Sequence, residues 1–439
     1  MKKIALFLFA LLTLTAGLLL SACDEPIPPA PPHVHTIVHV DSAEPQCKTP
    51  GHVEHYACTG CDKTFADEEG VTELADVSTG TVDCVFVDCI CKWCGGNNHT
   101  LTHTAGVAPQ CNKAGILEHW TCSVCEKIYT DEAATQQTET TVAEKVACEY
   151  VDGLCKWCGW NADGYVRCDK DGTPNANGDY ILFGEYPQTI KAPDVTVTDE
   201  RDDRGYYLGS DGAYYAKVKA GPKEEDYRFS DNTKIIKNTI YYFKVEPIRF
   251  RILKIEDGKA FLFCDSVINC KTYTSFADSL QLDRSNDFEN SSIRKWLNET
   301  FYENAFSDLQ SSLIETTAVD NSAKTTGCSW SKYPYKSTTD KVFLLSYKDV
   351  INKEYGFSGS EQNFDPARQI VATDYSRARG VYMDTVKDYY GCSGWWLRSP
   401  YDKTTATVHT VNYDGFCSYY AGAGVTQIGV VPALYLTLK

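Results

Sequence analysis

Twelve cysteines form two sets in one register. Cys47, Cys58, Cys61, Cys84, Cys91 and Cys94 recur 64 residues later as Cys111, Cys122, Cys125, Cys148, Cys155 and Cys158, without a gap. His35 and His99, His39 and His103, His55 and His119, and the pairs Lys92-Trp93 and Lys156-Trp157 keep the same spacing. Two thiolates on a Cys-x2-Cys turn sit close to a shared centre, and two more donors from thiolate or imidazole complete the tetrahedron that zinc prefers. The candidate ligands are therefore His35, His39, Cys47, Cys58, Cys61, Cys84, Cys91, Cys94, His99, His103, Cys111, Cys122, Cys125, Cys148, Cys155, Cys158 and Cys168. They exceed one tetrahedral site per copy and suit two.

One grouping takes His35 or His39 with Cys47, Cys58 and Cys61, and then Cys84, Cys91 and Cys94 with a ligand downstream: His99 or His103 after the first copy, Cys168 after the second. Another joins Cys58 and Cys61 directly to Cys91 and Cys94. Cys89 fits neither, because its counterpart is Gly153. Disulfides are the competing staple, and an exported protein favours them. Either staple answers the same need. The modules hold few runs of Leu, Ile or Val, so a segment this short has difficulty offsetting its chain entropy by apolar burial alone. A metal in such a module would be structural, with closed coordination and no position left for a substrate.

With their His-x3-His opening, an aromatic after the first Cys-x2-Cys (Phe65, Tyr129) and a closing Cys-x2-Cys-Gly, residues 33 to 160 resemble the zinc-ribbon-like repeats of surface proteins from anaerobic Gram-positive bacteria. The resemblance implies a spacer or adhesion role, not a catalytic one.

What precedes the repeats bears on where they act. Lys2 and Lys3 lead an apolar run, Ile4 to Leu20, that is short for a bilayer span and ends in Leu20-Ser21-Ala22-Cys23. The tetrad resembles the lipobox of bacterial lipoproteins, which implies lipidation at Cys23 and a chain anchored on the outer face of a membrane. The prolines between Cys23 and Pro32 favour an extended tether. A net charge of -17 on 439 residues argues against nucleic acid as a partner.

Cysteines thin out beyond Cys168, where a new domain is expected. Tyr180 to Gly184, Ile248 to Ile255, Ala260 to Phe263, Val342 to Ser346, Ala406 to Val411 and Val425 to Leu438 read as strands. Ser291 to Ala305 reads as a helix capped by Ser291 or Ser292, and a shorter helix is expected around Tyr347 to Glu354. Asp194 to Asp231, acidic and without clear periodicity, reads as an insertion or long loop. Calcium at Asp199 to Asp203 is disfavoured by the arginine between the carboxylates. Of the adjacent Trp395 and Trp396, alternation along a strand would place at least one in the core.

Ile181-Leu182-Phe183-Gly184-Glu185-Tyr186-Pro187-Gln188, Ile293-Arg294-Lys295-Trp296-Leu297-Asn298, Val342 to Ser346, Trp395-Trp396-Leu397-Arg398-Ser399-Pro400 and Gly429 to Leu434 together look like a domain of unknown function widespread in Gram-positive gut bacteria. Its fold is similar to C-type lectin-like and sulfatase-modifying-factor domains. Val431 departs from the family, which usually has Arg there. The resemblance implies binding surfaces near the C-terminal strands, where Tyr401, Tyr413, Phe416, Tyr419 and Tyr420 lie beside Asp402, Asn412 and Asp414. Aromatic faces beside carboxylates and amides suit sugars or protein loops.

No nucleophile elbow, phosphate loop or Rossmann glycine pattern appears in a fitting context. His409 is the only histidine after His119, and Cys392 and Cys417 lack a supporting motif. The expected organisation is a multidomain chain: signal peptide 1–22, tether 23–32, Cys/His repeats 33–96 and 97–168, and an α+β C-type lectin-like domain 169–439. The expected function is a surface-anchored binding or adhesion lipoprotein on zinc-stapled spacers, with a protein or glycan partner at the cell surface. An extracytoplasmic enzyme, carbohydrate-active or protein-modifying, and a structural envelope protein are the alternatives.

Overall fold

The computed structural model describes residues 34–328, 335–361, 364–401, 404–417 and 419–439. The signal sequence, Cys23, the tether and Asp402 lie outside the described residues. Two compact units emerge, one of Met1–His103 with Trp120–Gln137, the other of Thr104–His119 with Thr138–Lys439. The division passes through the second repeat.

In the first unit, repeat one is a small antiparallel sheet. Ile37–Val40 pairs with His55–Cys58, which pairs with Thr64–Phe65 and then Glu73–Leu74. Tyr56 faces Phe65 and Ala57 faces Thr64; in repeat two Trp120 faces Tyr129 and Thr121 faces Ile128, the same register 64 residues on. These sheets bury little apolar surface, and the one apolar cluster among the described residues of this unit is Cys89, Cys122, Tyr129 and Ala134. The expected shortage of core is thus real.

The second unit is mostly β. Its main sheet runs Val166–Cys168, Tyr180–Ile190, Ile240–Glu256, Tyr214–Lys219, Tyr207–Gly209, Val197–Arg201, while Lys259–Cys264 joins Ile240–Glu256 to Ala433–Thr437. The long strand Ile240–Glu256 carries Tyr214–Lys219 along its first part and Lys259–Cys264 along its last, so the sheet curls into a half-barrel. Bulges make the curl possible. A register shift between Ile252 and Lys254 resets the side-chain alternation, so Ile248 and Phe250 point inward before it and Leu253 within it. Gly184 sits at another shift with φ +68°, and a Cβ there would lie 2.5 Å from the Phe306 ring, so only glycine fits.

A second sheet orders Asn269–Cys270, Gly429–Val430, Trp395–Pro400, Thr407–Val411, Tyr419–Gly422. Both Trp395 and Trp396 are fully buried because this sheet is covered on two faces, and each indole N–H finds a carbonyl, Arg368 at 3.1 Å and Lys271 at 2.8 Å.

The helix from Ser291 forms as its spacing predicts. The Ser291 hydroxyl accepts from the Arg294 N–H, and the path runs Ser292–Trp296, a wider turn over Leu297–Phe301, then Tyr302–Ala305, with Ile293, Leu297, Phe301 and Ala305 buried. Three expectations of local structure fail. Asp194 to Asp231 is no loop, since Val197–Arg201, Tyr207–Gly209 and Tyr214–Lys219 are strands there; Asp202 is buried against Arg204 at 2.8 Å rather than solvated. Val342 to Ser346 is buried but makes only a single bridge, Phe343 with Ala433, and short 3-10 turns over Asp349–Ile351 and Lys353–Tyr355 replace the expected helix. Helices are few and short, so the domain is mostly β rather than α+β.

Candidate metal centres

Each Cys-x2-Cys turn begins where a strand ends. Cys58 closes His55–Cys58 and Cys122 closes His119–Cys122, and the next turn folds Cys61 and Cys125 back beside them. Backbone N–H groups point at the first sulfur: Gly60 N donates to Cys58 Sγ and Val124 N to Cys122 Sγ, both at 3.4 Å. His35 and His99 each bring Nδ1 to 3.5 Å from Cys61 Sγ and Cys125 Sγ. In repeat two the Tyr129 hydroxyl meets the other nitrogen, His99 Nε2, at 3.0 Å and fixes the ring; Phe65 provides only a ring contact to His35.

Four donor groups result, each with its ligand atoms within 4.8 Å of one another: His35, Cys58 and Cys61; Cys47, Cys84, Cys91 and Cys94; Cys89, His99, Cys122 and Cys125; and Cys111, Cys148, Cys155 and Cys158. The sulfur separations repeat between copies. Cys47–Cys91 is 3.6 Å and Cys111–Cys155 is 3.5 Å, while Cys84–Cys94 and Cys148–Cys158 are both 3.9 Å. A tetrahedral zinc thiolate with bonds of about 2.3 Å has sulfur–sulfur edges of roughly 3.8 Å, whereas a disulfide holds its sulfurs at about 2.05 Å. These sulfur separations fit metal edges and are far longer than a disulfide bond.

The electrostatics agree. N–H groups of Cys94 and Trp93 hold the Cys91 thiol down at about 6, against the upward pull of desolvation. Desolvation also pushes Cys155 and Cys122 up, but the N–H groups of Cys158 and Trp157, and of Cys125 and Val124 together with His99, outweigh it and bring them to about 6 and about 5. Their neighbours move the other way. The hydrogen bond with Cys47 pushes Cys84 up to about 12, and desolvation pushes Cys158 to about 12 and Cys89 to about 11. Several thiolates so close cannot all ionise without a cation between them, and a divalent ion would deprotonate the rest.

The grouping differs from both arrangements expected from spacing. Cys47 belongs with the closing turn of its repeat, Cys111 does the same in the second copy, and neither His103 nor Cys168 supplies a fourth ligand to that turn. His39 bonds Glu54 at 2.7 Å, the His103 ring lies on Trp120 at 4.8 Å, and Cys168 is buried opposite Tyr180 in the main sheet. Cys89, left without a role by the spacing, is a donor. The signal was present in the sequence as the one cysteine that breaks the repeat.

The group at Cys111 belongs to the second unit, where its repeat is bonded to the head. Lys113 pairs with Glu200 at 2.6 Å, Ala114 N donates to Asp203 at 2.9 Å, and the Trp160 indole donates to Glu185 at 3.1 Å.

The candidate contact aromatics of the head have the following ring neighbours. Tyr401 stacks on Tyr420 at 4.0 Å with the His409 ring beside it, Tyr413 meets Tyr382 and Tyr389, and Phe416 meets Phe364. Tyr419 lies in the strand Tyr419–Gly422. Cys392 and Cys417 are both buried, and desolvation raises both thiols, Cys417 to about 11.

Fold and centres together define a chain of small Cys-rich β modules, each suited to metal, followed by a mostly β C-terminal region. Within that region, residues 257–438 match a family described as a domain of unknown function, DUF6273. No curated protein and no solved structure matches the chain.

Proposed function

We propose that the chain is an exported, lipid-anchored binding or adhesion protein, in which zinc-stapled repeats carry a lectin-like head toward a protein or glycan at the cell surface. The observation that carries the reading is the closed character of the centres. Three of the four groups already hold four donors, the complement of a structural zinc, so those three leave no position at the metal for a reactant and suit the repeats to a rigid spacer role. In the head, the stacked pair Tyr401 and Tyr420, with Tyr420 52% exposed, offers the aromatic face a sugar ring or an apolar loop would use. The lipobox-like tetrad ending at Cys23 supports the anchor, and the net charge supports a partner other than nucleic acid.

The test is a glycan and envelope-protein array probed with the mature chain. Binding that Tyr420→Ala abolishes, with the metal content unchanged, supports the reading. No binding to any surface material at high micromolar concentration sinks it.

A further inference from the structure

We propose that the group Cys89, His99, Cys122 and Cys125 is a lock between the two repeats: a divalent metal held by repeat two takes its fourth ligand from the hairpin turn of repeat one between Phe86–Val87 and Ile90–Cys91. The inference rests on the metal reading above and goes beyond it, because it assigns one of the ions a role in joining modules rather than in stabilising one.

The first support is position. Cys89 stands between Cys84 and Cys91, both of which serve the other centre of repeat one, and yet its own sulfur lies 3.8 Å from Cys122 Sγ. The chain therefore turns one thiol away from its own module into the next. Hydrogen bonds follow the same route, the backbone N–H of Asn98 donating to Cys89 O at 3.0 Å and the Asn97 side-chain amide to Ala133 O at 3.1 Å.

Backbone conformation is the second support. Cys89 has φ +65°, a left-handed geometry that disfavours any side chain with a Cβ, and its counterpart in repeat two is Gly153 at φ +83°. Glycine satisfies that turn without strain. A cysteine held there against the preference of the backbone has a use for its sulfur, and Cys89 is buried, 5% exposed, with its ligand atom grouped with those of His99, Cys122 and Cys125.

The third is the asymmetry between the copies. Repeat two is followed by the strand Val166–Cys168 of the head rather than by another His-x3-His module, and its turn carries glycine, with no ligand to offer. The residue at this turn is thus the connector: cysteine where a further repeat is stapled on, glycine where the array ends. The donor set of three sulfurs and one imidazole suits zinc over calcium or magnesium.

Native mass spectrometry and amide exchange on the full chain, prepared with zinc under reducing conditions, test the lock. Cys89→Gly removes the ligand and leaves the turn in the conformation glycine adopts in repeat two, so the variant is expected to fold. It should hold one ion fewer than the unsubstituted chain and lose amide protection in Gly95–Thr100 and Cys122–Tyr129. Cys125→Ser should lose the same ion, and the double variant still only one. Cys91→Ser should lose an ion and leave Cys122–Tyr129 protected. An unchanged ion count and unchanged exchange in Cys89→Gly overturn the lock alone. An unsubstituted chain without metal, its thiols oxidised in pairs, overturns the metal reading and the lock with it.

Discussion

The repeats and the head reach a fixed structure by opposite means. In the head, Phe183, Phe250, Phe263, Trp395 and Trp396 are all fully buried in a continuous core, and buried polar side chains tie segments to it. Asp374, for instance, accepts from Ser230 N and Ser230 Oγ at 2.7 Å and from Ile190 N at 3.1 Å, tying three segments together. In the repeats the apolar cluster is small and includes the cysteines themselves. On the metal reading proposed above, stability there resides in a few strong, discrete bonds to an ion, whereas in the head it is spread over many weak contacts. The first can be switched off by chemistry. The second can only be eroded.

Chelation gives the largest contrast. A structural zinc contributes an apparent ~10–16 kcal/mol to a small domain near neutral pH, so removing metal under reducing conditions should abolish amide protection across His55–Phe65 and Trp120–Tyr129. The cooperative unfolding transition of the head should persist. Protected repeats in a chain shown to be metal-free would break the comparison. The converse is Trp395→Ala, which empties a large site in the head core. It is expected to lower stability against denaturant by about 3–5 kcal/mol, with no ion lost.

The helix of the head offers a smaller effect of the same kind. The Ser291 hydroxyl satisfies the Arg294 N–H at the start of Ser292–Trp296. Ser291→Ala should cost about 1 kcal/mol, read as a shifted denaturant midpoint with unchanged slope. A much larger loss would mean that the buried serine packs the core as well as capping the helix.

How far the sequence reveals each region follows from the same division. The repeat register and the helix with its cap are one-dimensional signals, visible in spacing. Ligand grouping is not, because the fold of each module returns Cys47 to the side of Cys91, across a distance in sequence that no spacing rule covers. The strands between Asp194 and Asp231 escaped for another reason. Carboxylates and arginines interrupt the alternation, and what makes Val197–Arg201 a strand is a neighbour, Tyr207–Gly209, supplied by the fold. Val342 to Ser346 shows the reverse: an apolar run suits any buried extended segment, paired or not.

The smallest expected effect tests whether the two copies are physically equal. Asp131 accepts N–H bonds from Thr135 at 3.1 Å and Gln136 at 2.7 Å, and Asp67, 64 residues earlier, accepts from Val71 and Thr72 at 2.8 Å. The backbone N–H of Thr135 leads in holding the Asp131 carboxyl below its ordinary value of 3.8, and that of Val71 does the same for Asp67. A depressed carboxyl contributes stability above its unfolded pKa and loses it as pH falls through the folded one. Both bonds are therefore fully formed at neutral pH and weaken only below about pH 4. Asp131→Asn at pH 7 should speed exchange at Thr135 and Gln136 without releasing an ion, and Asp67→Asn should do the same at Val71 and Thr72. Equal increments mean that the two loops are interchangeable and that the copies differ where their cysteines do. A larger increment in repeat two would mean that Ala134, in the same loop and packed with Cys89, Cys122 and Tyr129, couples this turn to the proposed metal centre of Cys89, His99, Cys122 and Cys125.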